Sequence, residues 1–292
     1  MKYLLFITLA ALGLQPLSAQ TAAGSTSTNK PAIQLKEVDY ADGTMPCQGY
    51  IAYDPAIKTP RPAILILPEW WGVNEYPRQR AVMLAKLGYV AMVVDLYGRG
   101  KVVNTPGDAT EASGNFYKDP SIARSRVNAA LARLKTFPGV DPKNIGLIGY
   151  CFGGAMALDL ARMGEDFRGT VSFHAGLTGV DAIKGKVKSK ILVCQGGSDK
   201  FVTAAEIKAF RKNLDTTGVS YIFKTYDDAQ HAFTNPAATE TGKKFNLPIA
   251  YNEKADKESW EEMKKFFADV FAERKPGKEK AGGSKDPKAT GK

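Results

Sequence analysis

The chain has 292 residues, of which 44% are hydrophobic and 24% are charged, the balance of an ordinary globular protein with a sizeable core. Its formal net charge is +10, and residues 275–292 alone contribute +4 of it. The rest of the chain has no dense block of lysine and arginine and no nucleic-acid motif, so we expect a solvated basic surface and no nucleic-acid partner.

The N-terminus has the three parts of a secretory signal peptide. Residues 1–19 begin with Lys2, continue as an apolar stretch too short to span a membrane, and end in Leu-Ser-Ala. Residues 20–32 predict a flexible lead-in, and the Lys/Gly/Pro-rich residues 275–292 predict a disordered basic tail. We therefore expect one domain over residues 33–274 in a secreted or periplasmic protein with no stable membrane insertion. We also expect a monomer, although no motif of the sequence tests this.

Strands and helices alternate along the predicted domain. Two short strand-like segments joined through Asp42-Gly43 predict a hairpin, and continuous apolar runs further on predict buried strands. Residues 97–118 have little apolar periodicity and predict a long functional loop. The predicted strands cover residues 36–40, 48–53, 63–67, 89–94, 145–149, 169–173, 190–194 and 220–226; the predicted helices cover residues 77–87, 203–214 and 255–274, with two more following Asp119-Pro120 and Cys151.

This alternation predicts an α/β fold with a mostly parallel central sheet, helices on both faces and an antiparallel N-terminal edge hairpin. In such sheets, ligands bind at the carboxyl edge, in the loops that follow the strands. We therefore look for functional side chains directly after each predicted strand.

The most informative stretch is Gly-Tyr-Cys-Phe-Gly-Gly at residues 149–154, between an apolar run and a helix-forming segment. This strand–turn–helix context is typical of a nucleophile elbow, here with Cys151 as the nucleophile. A core cysteine is the alternative interpretation, but a helix start flanked by glycines favours a lowered thiol pKa.

A cysteine nucleophile needs a base, and the base needs an orienting acid. Asp199 and His231 each follow a predicted strand, and the order Cys151, Asp199, His231 is that of the α/β-hydrolase triad. Asp199 could instead merely cap the next helix. His174 also ends a strand; it is interpreted as a pocket or structural residue, with replacement of His231 as the alternative.

The remaining cysteines are Cys47 and Cys194. Cys194 lies in an apolar run and is interpreted as a buried small hydrophobic residue. A disulfide between the two is possible, but the sequence does not provide the required geometry.

Glu69, Trp70 and Trp71 follow the first buried strand, where this fold supplies one N–H of an oxyanion hole. The residue after the nucleophile supplies the other, so Trp70 and Phe152 are the candidate backbone donors. Glu69 is a carboxylate beside two tryptophans at the predicted active-site edge, and its alternative role is a surface or ion-paired acid.

Several of these motifs occur together and resemble the dienelactone hydrolase family of the α/β-hydrolase superfamily, over residues 33–274. The resemblance implies a hydrolase without cofactor or metal that uses Cys151, Asp199 and His231 on a small-molecule ester or lactone. It implies that Glu69 interacts with the resting thiol and helps to deprotonate it. The motifs that carry it are residues 69–72 (Glu-Trp-Trp-Gly), 95–99 (Asp-Leu-Tyr-Gly-Arg), 149–154, Asp199 and 231–233 (His-Ala-Phe).

The resemblance further implies that Arg99 helps to hold a substrate carboxylate. The founding enzymes have a second arginine where this chain has Asn235, so we expect a general ester or lactone hydrolase whose substrate is open. Trp71, Tyr97 and Phe233 are candidates for lining an aromatic pocket, with core packing as the alternative for each.

Two other functions stay open at this point. One is a secreted, non-catalytic small-molecule binding protein that keeps the fold, which the intact Cys, Asp, His and Glu set argues against. The other is redox chemistry at Cys151, for which no Cys-x-x-Cys pair or nearby resolving cysteine provides support.

Overall fold

A computed structural model describes residues 32–273 of the chain. The predicted signal peptide, almost all of the predicted lead-in and the predicted basic tail lie outside the described residues. The helices and strands are, in chain order, β1 (Gln34–Asp42), β2 (Met45–Tyr53), β3 (Arg61–Leu67), α1 (Glu75–Lys86), β4 (Val90–Val93), α2 (Pro106–Lys118), α3 (Ser121–Lys135), β5 (Val140–Tyr150), α4 (Phe152–Arg162), β6 (Gly169–Phe173), β7 (Lys190–Gly196), α5 (Ala204–Thr217), β8 (Tyr221–Tyr226), α6 (Ala238–Phe245) and α7 (Glu253–Ala272).

The strands form one eight-stranded sheet in the order β1-β2-β4-β3-β5-β6-β7-β8. β1 pairs antiparallel with β2 and β2 antiparallel with β4, whereas every other pair is parallel. The predicted α/β fold, with its antiparallel N-terminal hairpin at the edge, is confirmed.

Helices cover both faces of the sheet because the central strands carry apolar side chains on both faces. On β3, Leu65 and Leu67 pack with residues of α3 and α4, whereas Ile64 and Ile66 pack with residues of α1 and α7. Successive side chains of a strand point to opposite faces, so a continuous apolar run is what a strand buried on both sides requires.

The prediction of one long loop over residues 97–118 was wrong, because α2 occupies residues 106–118. Thr105 caps this helix by accepting a hydrogen bond from the Asp108 N–H, and Pro106 follows at the first position. The apolar pattern is weak because only Ala109, Ser113 and Phe116 are buried on this helix. The Thr105-Pro106 pair was the one feature of the sequence that could have indicated the start of this helix.

The short helix α6 was also not predicted. Only Ala238 and Gly242 are buried on it, so it has almost no apolar stripe, and it ends at Asn246 in a left-handed conformation. At the start of α3, Pro120 takes the N-cap position, and the Asp119 carboxylate accepts a hydrogen bond from the Ser121 N–H.

All three cysteines are free thiols. Cys47 lies on β2 and Cys194 on β7, with four strands of the sheet between them. At ~4.8 Å per strand step, the two are roughly 24 Å apart, which excludes a disulfide. No helix within residues 32–273 is both long and apolar enough to cross a membrane.

Candidate active site

Cys151 occupies the sharp turn between the end of β5 and the start of α4. Its backbone has φ 53° and ψ −118°, a region that non-glycine residues rarely adopt. A Cβ on Gly149 would overlap the backbone of Gly153, and a Cβ on Gly153 would overlap the carbonyls of Leu67 and Pro68. The two glycines therefore let the strand, the helix and the loop after β3 approach closely around the thiol.

A continuous hydrogen-bonded chain links the thiol to a buried carboxylate. The His231 Nε2 lies 3.0 Å from the Cys151 Sγ, and the His231 Nδ1 lies 2.9 Å from the Asp199 Oδ2. Asp199 is fixed in turn, because the Gln195 side chain donates to its Oδ2 at 2.9 Å and the Phe201 N–H donates to its Oδ1 at 2.8 Å. The structure thus brings together the three residues that the chain order predicted, in the connections that follow β5, β7 and β8.

The surroundings of His231 favour its protonated form. Burial lowers the pKa of His231, but the charge of a Cys151 thiolate and the hydrogen bonds to Asp199 and Cys151 outweigh burial and raise this pKa to about 10. A protonated imidazole hydrogen-bonded to the Cys151 sulfur is therefore favoured at neutral pH, and such a partner activates a cysteine nucleophile.

Two backbone N–H groups near the thiol have no acceptor among residues 32–273. Phe152 is the first residue of α4, so its N–H has no intrahelical partner, and the Trp70 N–H in the loop after β3 also lacks one. The Tyr97 hydroxyl donates to the Trp70 carbonyl at 2.9 Å and so fixes this loop. These are the two groups predicted as oxyanion donors.

Glu69 is buried beside the triad, and its partner is not the thiol. The Asn235 Nδ2 donates to the Glu69 Oε2 at 2.7 Å, whereas the Glu69 Oε1 is buried without a hydrogen-bond partner. In the described structure the Cys151 Sγ instead bonds His231, which differs from the Glu69–thiol contact that the resemblance implied. Burial raises the pKa of Glu69 to about 7, although Asn235, His231 and Arg80 oppose the shift.

This shift predicts a pH-dependent cost to stability. The pKa of Glu69 is about 7 in the fold against an ordinary 4.5, so the folded state binds the proton more tightly and stability falls as pH rises between these values. Above pH 7 the cost is about 3 kcal/mol. We expect Glu69→Gln, which keeps an acceptor for Asn235, to gain about that amount relative to the unmodified chain between pH 4.5 and pH 8.

Urea unfolding of both proteins at the two pH values measures this double difference. All other titrating groups are common to both proteins and cancel. A double difference near zero would show that Glu69 titrates normally.

His174 does not replace His231 in this arrangement. It is fully buried, and its Nε2 lies 2.7 Å from the Thr234 Oγ1, whereas its ring only packs edge-on against that of His231. Burial and the nearby His231 hold its pKa well below the usual range, so it is a neutral imidazole. Thr234 also contacts the Tyr76 hydroxyl, and this network anchors the segment that carries His231 and Asn235.

The thiol opens into a cavity of about 320 Å³. Six separate segments form its wall: the loop after β3, α2, the elbow at Cys151, the loop after β6, the turn after β7, and the stretch from His231 through α6 to Ile249. The lining residues are Glu69, Trp70, Trp71, Thr110, Ser113, Gly114, Tyr117, Cys151, Gly176, Phe201, His231, Ala232, Asn235, Ala238, Thr241, Leu247 and Ile249.

Three predicted substrate-binding residues lie outside this lining, which corrects the prediction. Arg99 is exposed, in a turn where its N–H donates to the Pro46 carbonyl. Tyr97 stacks on the buried ring of Phe152. Phe233 is fully buried, with its ring against His174. Of the four predicted residues, only Trp71 lines the cavity. Tyr97 and Phe233 instead pack in the core, which was the alternative interpretation of each.

Sequence reasoning missed the wall supplied by α2 and α6, because neither helix was predicted. It also missed the partners of the two acids, Gln195 for Asp199 and Asn235 for Glu69. The sequence showed Asn235 four positions after the candidate base, but it gave no indication that Asn235 contacts Glu69, which is 166 positions away.

Comparison with known proteins agrees with this geometry. The family model that describes the dienelactone hydrolase family matches residues 47–271. The chain belongs to the dienelactone hydrolase family. The resemblance noted from the sequence motifs is thereby confirmed.

Relatives of known name and structure support the same assignment. A carboxymethylenebutenolidase of Pseudomonas putida is 29% identical over 201 residues, which cover 65% of this chain and 82% of the relative. The crystal structure of a dienelactone hydrolase-like promiscuous phosphotriesterase from metagenomic libraries is similar with a TM-score of 0.77 and 32% identity. That match covers 82% of this chain and 99% of the other. This dienelactone hydrolase-like chain therefore has the α/β-hydrolase fold and is a hydrolase.

Proposed function

We propose that the chain is a secreted cysteine-dependent hydrolase of carboxylic esters or lactones. The observation that carries the proposal is the unbroken hydrogen-bonded chain from Asp199 through His231 to Cys151, at the wall of a cavity. The family membership and the name of the Pseudomonas putida relative support the substrate class.

The reaction is acyl transfer. The Cys151 thiolate attacks the substrate carbonyl carbon, and the N–H groups of Trp70 and Phe152 stabilise the negative oxygen that develops. His231 then donates its proton from Nε2 to the departing alkoxide as the carbon–oxygen bond breaks, leaving an acyl thioester on Cys151. The neutral imidazole next takes a proton from water, which attacks the thioester and releases the acid. Asp199 keeps the imidazole oriented throughout.

The acyl-enzyme provides the direct test. We expect acid quenching during turnover of p-nitrophenyl butyrate to trap a butyryl adduct, and peptide mapping to place it on Cys151. Since one structural relative is named a phosphotriesterase, the substrate panel includes a neutral phosphotriester beside esters and lactones. The proposal fails if no ester or lactone is turned over, or if the adduct maps to another residue.

A non-catalytic binding protein is the alternative from a different functional class. It would bind panel members without releasing products, and its thiol would carry no acyl group after quenching. A binding role alone requires no aligned acid, base and nucleophile, which is why the hydrolase is favoured.

The secreted location rests on residues 1–19, which lie outside the described residues. N-terminal sequencing of the mature protein from its native host tests it, and cleavage after Ala19 is the expected result. An unprocessed Met1 on the purified protein contradicts secretion through this segment.

A further inference from the structure

We propose that the cavity selects uncharged, apolar esters and lactones, and that Glu69 is the specificity-determining residue that excludes substrates carrying a carboxylate near the scissile bond. The inference rests on the proposed hydrolase function for its substrate class, whereas the exclusion of anions is a property of the cavity itself.

The cavity wall contains no cationic side chain among the described residues apart from the His231 of the triad. Arg99 lies outside it, and Arg80, the buried arginine whose charge reaches Glu69, is held elsewhere by Asp256 and the Thr234 carbonyl. An anionic substrate would therefore bury its charge with no cation beyond His231, which Asp199 and Cys151 already engage, and burying a charge without a partner of its own is costly. The apolar part of the wall comprises Trp70, Trp71, Tyr117, Phe201, Leu247 and Ile249.

Glu69 adds a repulsive element to this apolar wall. It is 3% exposed, it lines the same cavity as Cys151, and its Oε1 has no hydrogen-bond donor in the described structure. A second carboxylate placed beside it would meet a like charge at low dielectric, where repulsion is strong. Specificity built in this way works against the unwanted ligand, whereas the contacts to the preferred one are ordinary apolar packing.

The repulsion is expected to depend on pH. Because the pKa of Glu69 is raised to about 7, the side chain is neutral in mild acid and charged in mild base. Burial raises the pKa of Tyr76 and Tyr150, and that of His231 is near 10, so these neighbours keep one charge state between about pH 6 and 8.5. The titratable or charged groups that face Glu69 are Tyr76, Arg80, Tyr150, Cys151 and His231.

The sharpest test uses two alkylating reagents of nearly equal size, the neutral iodoacetamide and the anionic iodoacetate. Both form a carbon–sulfur bond at Cys151 and release iodide, so neither depends on ester hydrolysis. The ratio of their rate constants at Cys151, measured by peptide mapping of the full chain, is compared with the ratio for free cysteine. The ratio cancels any change in the reactivity of the thiol itself.

At about pH 8.5 we expect Cys151 to prefer iodoacetamide at least about tenfold more than free cysteine does, and this excess to shrink severalfold at about pH 6. Glu69→Gln is expected to remove most of the excess and its pH dependence. The matched control is Glu75→Gln, which removes the same charge from an exposed residue at the start of α1 and should leave the ratio as it is.

If the ratio of the iodoacetamide to the iodoacetate rate constant at Cys151 equals that of free cysteine, the exclusion of anions is overturned. If this ratio still falls as the pH is lowered in Glu69→Gln, the role of Glu69 is overturned. The same selectivity is expected in turnover, where p-nitrophenyl butyrate should exceed mono-p-nitrophenyl glutarate in kcat/KM at about pH 8.5. Comparable kcat/KM values for the two esters also overturn the proposal. Failure to hydrolyse either ester contradicts only the proposed function, because the alkylation ratio tests the exclusion of anions without any ester hydrolysis.

Discussion

Cys151→Ala is expected to lower kcat/KM for p-nitrophenyl butyrate by about four orders of magnitude or more, while the protein stays folded. The alanine removes the sulfur to which the His231 Nε2 is hydrogen-bonded and leaves the two N–H donors and the cavity in place. Removing the nucleophile of a triad costs nearly as much as removing the whole triad, because its members act as one unit.

Two further variants make this result interpretable. Cys47→Ala makes the same chemical change on β2, far from the cavity, and should keep kcat/KM within about twofold of the unmodified chain. Cys151→Ser keeps the shape of the elbow but replaces a thiolate by a hydroxyl, so we expect it to lose most activity as well. Residual activity of Cys151→Ala above a tenth of the original would show that another group attacks the substrate.

The fold and the triad were predictable from sequence because both depend on short-range patterns. Each central strand is an apolar run bounded by turn residues, and all eight predicted strands are present. In a parallel sheet the carboxyl ends of the strands meet at one edge, so residues directly after them must lie near each other. Cys151, Asp199 and His231 lie in the connections after β5, β7 and β8, at this edge, and hydrogen bonds join them there.

The cavity was less predictable because its wall depends on long-range packing. α2 and α6 bury only two or three side chains each, so neither has the apolar periodicity that identifies a helix from sequence. Which residues after β4 face the cavity depends on backbone turns. Arg99 has φ 56° and an exposed side chain, whereas a motif comparison would place it at the substrate.

The hydrogen-bond partner and the pKa of Glu69 were also not predictable from the sequence. The Glu-Trp-Trp-Gly motif indicated a carboxylate near the active site, but its protonation depends on burial and on a donor from a distant loop. With Asn235 as that donor, the acid is bound by a neutral amide and retains a pKa of about 7. A cation at the same position would have favoured the charged form instead.

Gly149→Ala is expected to be the most destabilising single substitution at the elbow, with a loss of at least about 3 kcal/mol in the free energy of unfolding. The added methyl group would overlap the carbonyl group of Gly153 and lie 2.7 Å from the Gly154 nitrogen. These are backbone atoms of the first turn of α4, so they cannot rotate away as a side chain could. Relief requires the helix to move off the strand, which also displaces Cys151 from His231.

Gly114→Ala is the matched control, because it makes the same change within α2 where an added Cβ meets nothing within 4 Å. Replacing a glycine in a helix interior by alanine should stabilise the fold by up to about 1 kcal/mol. Thermal unfolding then separates the two variants, with Gly149→Ala melting about 6–12 °C below the unmodified chain and Gly114→Ala slightly above it. Equal melting temperatures for both glycine variants would mean that the elbow tolerates a side chain at Gly149, and the close strand–helix approach would then not be what holds Cys151 in its strained conformation.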